Sequence, residues 1–306
     1  MNRLPHVMLR RARYLAATPR LVARSFAATR HAARAGVPGI PFATFGRSLA
    51  LKAVALGDPS ALELLVTPVS IVRYWEFPFV LQHLKQDPGR CLDISSPRLF
   101  SFYIASRRKP STVRMLNPDR RDADKTRRLA NRFGFRTIVV EPVPVSAIEG
   151  LDQRYDSIWS ISVIEHIPED GDKEAMRLMY EALAPGGTLI VTVPVDRHPW
   201  DEYRKEDVYA LDIAPGPDGT FFQRWYDEPT IASRLLDPLG PIDAHVEWFG
   251  ECVAGRFAEY ENDWLRRGRE RTVDDPREIA DWYSSYRAWD DMPGQGVCGI
   301  VVRKPA

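Results

Sequence analysis

The chain has 306 residues, 44% of them hydrophobic and 27% charged, with a formal net charge of +1. That is enough chain to bury a sizeable core, and the composition belongs to a globular protein rather than a disordered or collagen-like one. A neutral balance provides no general attraction to nucleic acid, and no apolar run reaches the roughly 18–20 residues of a membrane-spanning helix.

Charge is unevenly spread. Ten of the 42 Lys and Arg residues precede Asp58, where no Asp or Glu stands, which leaves 32 basic against 41 acidic residues in the remainder. That acidic balance opposes contact with a phosphate backbone, so no nucleic-acid partner is expected. Over residues 9–35 Arg and Ala predominate, with Leu15, Leu21, Val22 and Phe26 among them, and Pro19 is expected to divide the stretch into two short helices. Three readings fit it: a helical extension on the main domain, a peripheral contact with an anionic membrane, or a transit peptide. Residues 1–57 are therefore read as a basic helical N-terminal extension, and 58–306 as the main domain.

Residues 71–86 predict a helix with Tyr74, Phe77 and Leu81 on one face and a kink at Pro78. Short apolar strands follow at 90–95, 112–116, 136–140, 155–161 and 188–193. Between them, Asp122 is placed to cap a helix ending near Phe133, with Gly134 as its stop. A helix from Asp172 carries Met176, Met179 and Leu183 on one face as core, and is expected to stop at Pro185-Gly186-Gly187. Asp227 is placed to cap a helix through Leu236, residues 243–249 and 297–302 read as strands, and about 254–291 as a polar, helical insertion before the last strand. Strands alternating with helices predict an α/β fold: a doubly wound, mostly parallel sheet of seven strands.

The three cysteines, Cys91, Cys252 and Cys298, are odd in number and lack metal-site spacing; Cys91 and Cys298 lie in apolar strand-like runs and read as reduced core cysteines, which fits a reducing, cytoplasmic compartment. No other cluster has convincing ligand spacing, and no metal is expected.

The most restrictive segment is 157–195. It reads Ser-Ile-Trp-Ser-Ile-Ser-Val-Ile-Glu-His-Ile-Pro, then an amphipathic stretch, then Leu-Ala-Pro-Gly-Gly-Thr-Leu-Ile-Val-Thr-Val-Pro-Val. An open α/β sheet takes ligands at the carboxyl ends of its strands, where Glu165 and His166 would fall. Together with the first strand and turn, Leu92-Asp93-Ile94-Ser95-Ser96-Pro97, this arrangement resembles the class I S-adenosylmethionine (SAM)-dependent methyltransferases over roughly residues 70–250. The Asp-x-Ser-Ser-Pro turn is also similar to that of methyltransferase-like proteins of sugar and cell-surface polymer pathways.

The resemblance implies a Rossmann-like fold with an antiparallel last strand, and SAM as cofactor. It places Asp93, Ser95, Ser96 and Pro97 in the cofactor turn, Asn117 at the ribose, Glu141 at the adenine, and Ser162 and Glu165 below the sulfonium. The family usually carries acidic-x-Gly-x-Gly-x-Gly at the first turn. Here Ser95, Pro97 and Leu99 stand at the glycine places, and because positive φ is costly without glycine the turn is expected to take another shape. Bland roles stay open beside these: a helix cap for Asp93, a simple Asn-Pro-Asp turn for Asn117, an exposed carboxylate for Glu141.

The implied activity is methylation of a sugar, glycolipid or related small molecule on oxygen. Its acceptor proton calls for a base, for which His198, in the segment 196–204, and His166 are the candidates. Aromatic segments 221–226 and 73–76 are candidates for the acceptor wall. A methyltransferase-fold binding or assembly protein without catalysis is the alternative. A nicotinamide dehydrogenase is excluded, since Ser-Ser-Pro is incompatible with Gly-x-Gly-x-x-Gly. The expected partner is a small-molecule or glycan acceptor, the location cytoplasmic, with membrane contact through the basic arm as a variant. Oligomeric state stays open.

Overall fold

The computed structural model describes residues 4–58, 63–150, 154–209, 211, 213–267 and 276–306. In chain order the elements are α1 (Leu4–Arg34), α2 (Ile40–Ala55), α3 (Glu63–Val66), α4 (Arg73–His83), β1 (Arg90–Ile94), α5 (Arg98–Arg107), β2 (Thr112–Leu116), α6 (Arg120–Phe133), β3 (Ile138–Glu141) and β4 (Tyr155–Ile161). There follow α7 (Gly171–Glu181), β5 (Leu183–Val195), β6 (Trp200–Arg204), β7 (Thr220–Trp225), α8 (Glu228–Ile231), β8 (Ala244–Glu251), α9 (Arg256–Arg267), α10 (Pro276–Trp282), β9 (Tyr283–Tyr286) and β10 (Gly296–Arg303).

The chain divides into two compact units, one of residues 1–75 with 251–284, the other of 76–250 with 285–306. The expected extension and insertion thus fall largely in one unit. There, α1 runs unbroken through Pro19, against the expectation of two helices. Proline costs one main-chain hydrogen bond, but Ser25, Ala28, Thr29 and Ala32, spaced along a single helix face, are buried and hold the second half of α1 in place. Buried Arg47 of α2 donates to Ser25 O (3.1 Å) and Ser25 Oγ (2.5 Å), so its guanidinium is satisfied by oxygen acceptors. Among the described residues no helix is long and apolar enough to cross a membrane.

The sheet has the order β3-β2-β1-β4-β5-β10-β8-β9. Strands β1 to β5 pair in parallel, whereas β10 runs antiparallel to both β5 and β8. All seven expected strands are present, and β9 adds an eighth. In β1 the four residues Cys91 to Ile94 are all buried, as a parallel strand covered on both faces requires. On one face Met176 and Met179 of α7 pack with Ile158, Leu189 and Val191. Elsewhere in this unit the rings of Phe77, Phe100 and Trp159 follow one another at 5.4 and 5.6 Å. The chain winds outward from β1 to β3 and then returns to β4, so its winding direction reverses between β1 and β4.

Three local expectations are corrected. Asp119, not Asp122, caps α6, accepting from Arg121 N (2.9 Å) and Asp122 N (3.2 Å). The Asn117-Pro118 turn holds Asp119 in extended backbone just before the helix, the conformation of an N-cap. Next, α7 stops at Glu181, and Pro185-Gly186-Gly187 lies inside β5, where the pairing with β4 shifts register. Lys304 Nζ closes the helix instead, donating to the carbonyls of Tyr180, Glu181 and Leu183 at 3.0–3.2 Å. Finally, β6 and β7 form a separate two-stranded hairpin where only loop and aromatic segments were expected.

Candidate functional site

Parallel pairing aligns the carboxyl ends of five strands. Ile94 lies beside Leu116, Leu116 beside Glu141, and Ile161 beside Thr192. Main-chain bonds extend each pair by one residue: Ser95 N to Leu116 O, Asn117 N to Glu141 O, and Ser162 N to Thr192 O, at 2.9–3.0 Å. Ser95, Asn117, Glu141 and Ser162, singled out from four separate strands, therefore stand on one edge. An open α/β sheet binds ligands at this edge, at the point where the winding reverses.

Two residues flanking that point have left-handed backbone without being glycine: Ser95 (φ 51) and Ser162 (φ 46). Each such residue costs about 1–3 kcal/mol and persists only where its surroundings impose it. The expectation that the first turn would avoid positive φ is thus overturned; serine adopts the conformation that glycine would. The hydroxyls hold it there. Ser95 Oγ donates to Leu116 O (2.8 Å), and Ser162 Oγ donates to Glu76 Oε1 (2.5 Å), which also accepts from Thr192 Oγ1 (2.7 Å).

Acidic groups underlie the edge. Asp93 has no exposed surface; it accepts from Ser96 N (2.9 Å) and from the Ser101 hydroxyl. Burial pushes its carboxyl above the usual aspartate range, against the pull of the Ser101 and Ser96 bonds. Ser96 Oγ in turn accepts from Ile161 N (3.0 Å), tying the β1 turn to β4. Glu76 is fully buried and Glu165 is 1% exposed. Pro97, half-buried, is the N-cap of α5.

The remaining candidates are placed as follows. Asn117 builds its own turn, its Oδ1 accepting from Asp119 N and its Nδ2 donating to Asp122 Oδ2, both at 3.0 Å. Glu141 pairs with Arg114 Nε at 2.8 Å. His166 Nδ1 lies 2.6 Å from the Phe222 carbonyl. A carbonyl can only accept, so Nδ1 carries a proton, and in the neutral ring Nε2 accepts from the Tyr209 hydroxyl at 3.2 Å. Glu165 Oε1 lies 3.8 Å from Nε2, near enough to stabilise an imidazolium. His198 sits exposed between β5 and β6, and no hydrogen bond or ion pair among the described residues joins it to His166.

The β6–β7 hairpin is fastened to the same edge through Asp172 in the first turn of α7. Its fully buried carboxylate takes Arg224 Nη1 (2.9 Å), the Tyr226 hydroxyl (2.9 Å) and Arg234 Nη2 (2.7 Å). Burial opposes its ionisation, but the Arg234 and Tyr226 bonds and the Arg224 charge outweigh that and hold its pKa below the usual range. On the hairpin Trp200 stacks on Trp225 at 5.7 Å and Arg204 lies 3.7 Å over the Phe222 ring, while Trp200 and Tyr203 keep exposed faces.

Glu76, Thr192 and Tyr209 were not singled out one by one in the sequence. A signal existed for Glu76: a lone carboxylate between Trp75 and Phe77 on an apolar helix demands a buried partner. Thr192 and Tyr209 carry no comparable local mark.

No family profile and no curated protein matches this chain. Similar solved structures include a coclaurine N-methyltransferase bound to N-methylheliamine and SAH, 15% identical, covering 72% of this chain and 68% of that one, with a TM-score of 0.48. The (4+2)-cyclase SpnF is 16% identical, covering 75% and 80%, with a TM-score of 0.44. Phosphoethanolamine N-methyltransferase 2 of Haemonchus contortus, in complex with S-adenosyl-L-methionine, is 17% identical, covering 74% and 51%, with a TM-score of 0.44. Likeness at this level bears on neither activity nor ligand.

Proposed function

We propose that this chain is a SAM-dependent methyltransferase of the class I type, acting on the oxygen of a sugar, glycolipid or related small molecule. The observation that carries the reading is the pair of left-handed serines, Ser95 and Ser162, flanking the reversal point of the sheet above buried carboxylates. Strain of this kind persists where a ligand site requires it.

The donor set suits a cationic nucleoside. Glu76, Asp93 and Glu165 place buried carboxyl groups beneath the edge, while Ser95, Asn117, Glu141 and Ser162 are only partly buried there. Ser95 and Ser162 would hold the amino-acid and sulfonium end, and Asn117 and Glu141 the ribose and adenine. When bound, SAM supplies an electrophilic methyl on a positively charged sulfur. The chain's own part is to align the acceptor, exclude water and take up its proton. His166 is the base this geometry favours: its tautomer puts a lone pair on Nε2, where the acceptor hydroxyl would take the place of Tyr209, and Glu165 stands 3.8 Å away beside the charge that the ring gains. The hairpin's exposed Trp200 and Tyr203 offer ring faces for a sugar.

A second reading, a binding protein of the same fold without catalysis, is favoured by the internal use of the Asn117 amide in its turn. Calorimetry with SAM and with S-adenosylhomocysteine tests the cofactor first. Binding at micromolar Kd, about −8 kcal/mol, is expected, and no heat at millimolar ligand would overturn both the cofactor and the activity. If SAM binds, methyl transfer to a panel of sugar and glycolipid acceptors separates the two readings. His166→Ala should then lose most turnover, about 100-fold or more, with binding kept, whereas His198→Ala serves as the rival base.

A further inference from the structure

Outside this edge, α4 and β8 bring together two imidazoles and a carboxylate that the proposed reaction does not use. We infer that His83, His245 and Glu247 form a binding site for a divalent transition-metal ion of the zinc class. Their ligand atoms all lie within 4.8 Å of one another. His245 Nε2 is 2.7 Å from Glu247 Oε1, and His83 Nε2 is 3.5 Å from the same oxygen. A tetrahedral ion with bonds near 2.0–2.1 Å separates its ligands by about 3.4 Å, so small side-chain rotations seat it. Two imidazoles and one carboxylate suit Zn²⁺, Ni²⁺ or Co²⁺ better than Mg²⁺ or Ca²⁺, which prefer oxygen alone.

The fold builds this cluster rather than leaving it to chance rotamers. Residues 245 and 247, two apart on β8, share one face of the strand. Gly299 of β10 pairs directly with Glu247. A Cβ at Gly299 would lie 2.5 Å from the Phe79 ring, so the missing side chain lets Phe79 rest on the sheet. His83 stands one helical turn beyond Phe79 and packs against it with the rings tilted, centroids 4.8 Å apart, which carries its ring over β8, 5.1 Å from that of His245. His83 is largely buried, and its Nε2 has no hydrogen-bond partner within the distance and angle of a proper bond. A neutral imidazole is the form that ligates. Arg303 is the cation facing the group; Glu247 supplies the opposing charge.

The cluster lies at the far end of the sheet from the reversal point. Strand β8 runs parallel to β5, since both oppose β10, and His245 is its second residue. The metal would therefore pin the end of α4 to β8, with the half-exposed His245 side leaving room for a water ligand.

The test uses full-length, untagged protein freed of metal by chelation and titrated with Co²⁺ and then Zn²⁺. One Co²⁺ per chain with intense visible absorption is expected, displaced by Zn²⁺, with a rise in Tm on adding Zn²⁺. His245→Ala and Glu247→Gln, at positions exposed enough to fold normally, should each weaken binding about 10- to 100-fold or more, while His31→Ala leaves it unchanged. Absence of stoichiometric binding by the wild-type chain overturns the site and leaves a hydrogen-bonded His–Glu–His cluster. Unchanged affinity in a His245→Ala chain whose circular dichroism is native overturns it equally.

Discussion

At the amino edge of the parallel sheet, left-handed turns are made by glycine: Gly89 (φ 64) leads into β1 and Gly186 (φ 70) lies in the first part of β5. At the carboxyl edge the same backbone conformation falls on Ser95 and Ser162 and, just ahead of α7, on Glu169 (φ 57). Lys109 (φ 51) is the exception near the amino edge, and it follows the C-cap of α5, where a left-handed residue ordinarily ends a helix. The amino edge thus places its left-handed turns mainly on glycine, and it is closed by Lys304 on carbonyls and by Asp156 accepting from Arg90 N (2.8 Å). The carboxyl edge retains strain and buried acid together. At Ser95 and Ser162, strain that one glycine would remove is kept where the fold class takes its ligands.

That contrast can be broken by substitution. The largest effect is expected at Asp172→Ala, which leaves Arg224 and Arg234 without their buried partner. Loss of about 3–5 kcal/mol is expected from removing one member of such a network, read as a shifted midpoint in denaturant. A change under 1 kcal/mol would mean the hairpin is not fastened to the edge in this way. Next is Gly89→Ala, where a methyl group would meet the Asp156 carboxylate on left-handed backbone; about 1–3 kcal/mol should be lost. Ser95→Gly and Ser162→Gly should instead fall within about 1 kcal/mol of wild type, because relief of backbone strain offsets one lost hydrogen bond. Both should still weaken SAM binding. If these two destabilise the fold as much as Gly89→Ala, the proposed division between edges fails.

The smallest effect separates the edges by pH. The folded-state pKa of Asp93 is raised by burial. Between the ordinary aspartate value and that raised one, the folded chain holds a proton that the unfolded chain has released, so stability falls as pH rises through this window. Asp93→Asn cannot titrate and should flatten that slope in melts taken across acidic to neutral pH. Substitution of Asp156, at the amino edge, should leave it in place.

Much of the architecture was legible along the chain. Apolar runs such as Tyr155–Ile161 mark buried parallel strands, and Asp227 was readable as a helix cap, which the structure completes as a capping box with Thr230. The Asn-Pro-Asp turn was visible too, although which aspartate caps α6 depends on the exact φ of Asp119. Less was legible of the site. That Ser95 would adopt positive φ could not be read from residue preference, because the Leu116 carbonyl that holds its hydroxyl comes from a neighbouring strand.

The sequence by itself determined where the seven expected strands of the sheet lie, because hydrophobic periodicity acts over a few neighbouring positions, whereas the cap of α6, the end of α7 and strands β6, β7 and β9 were settled by contacts from elsewhere in the chain. Tertiary structure alone decided the partnerships. Glu76 meets Ser162 across 86 positions, Tyr209 meets His166 across 43, and His83 lies over Glu247 from an element much earlier in the chain. Such pairs depend on strand order and helix crossover, which bring remote residues to one edge without leaving any mark in the residues between them.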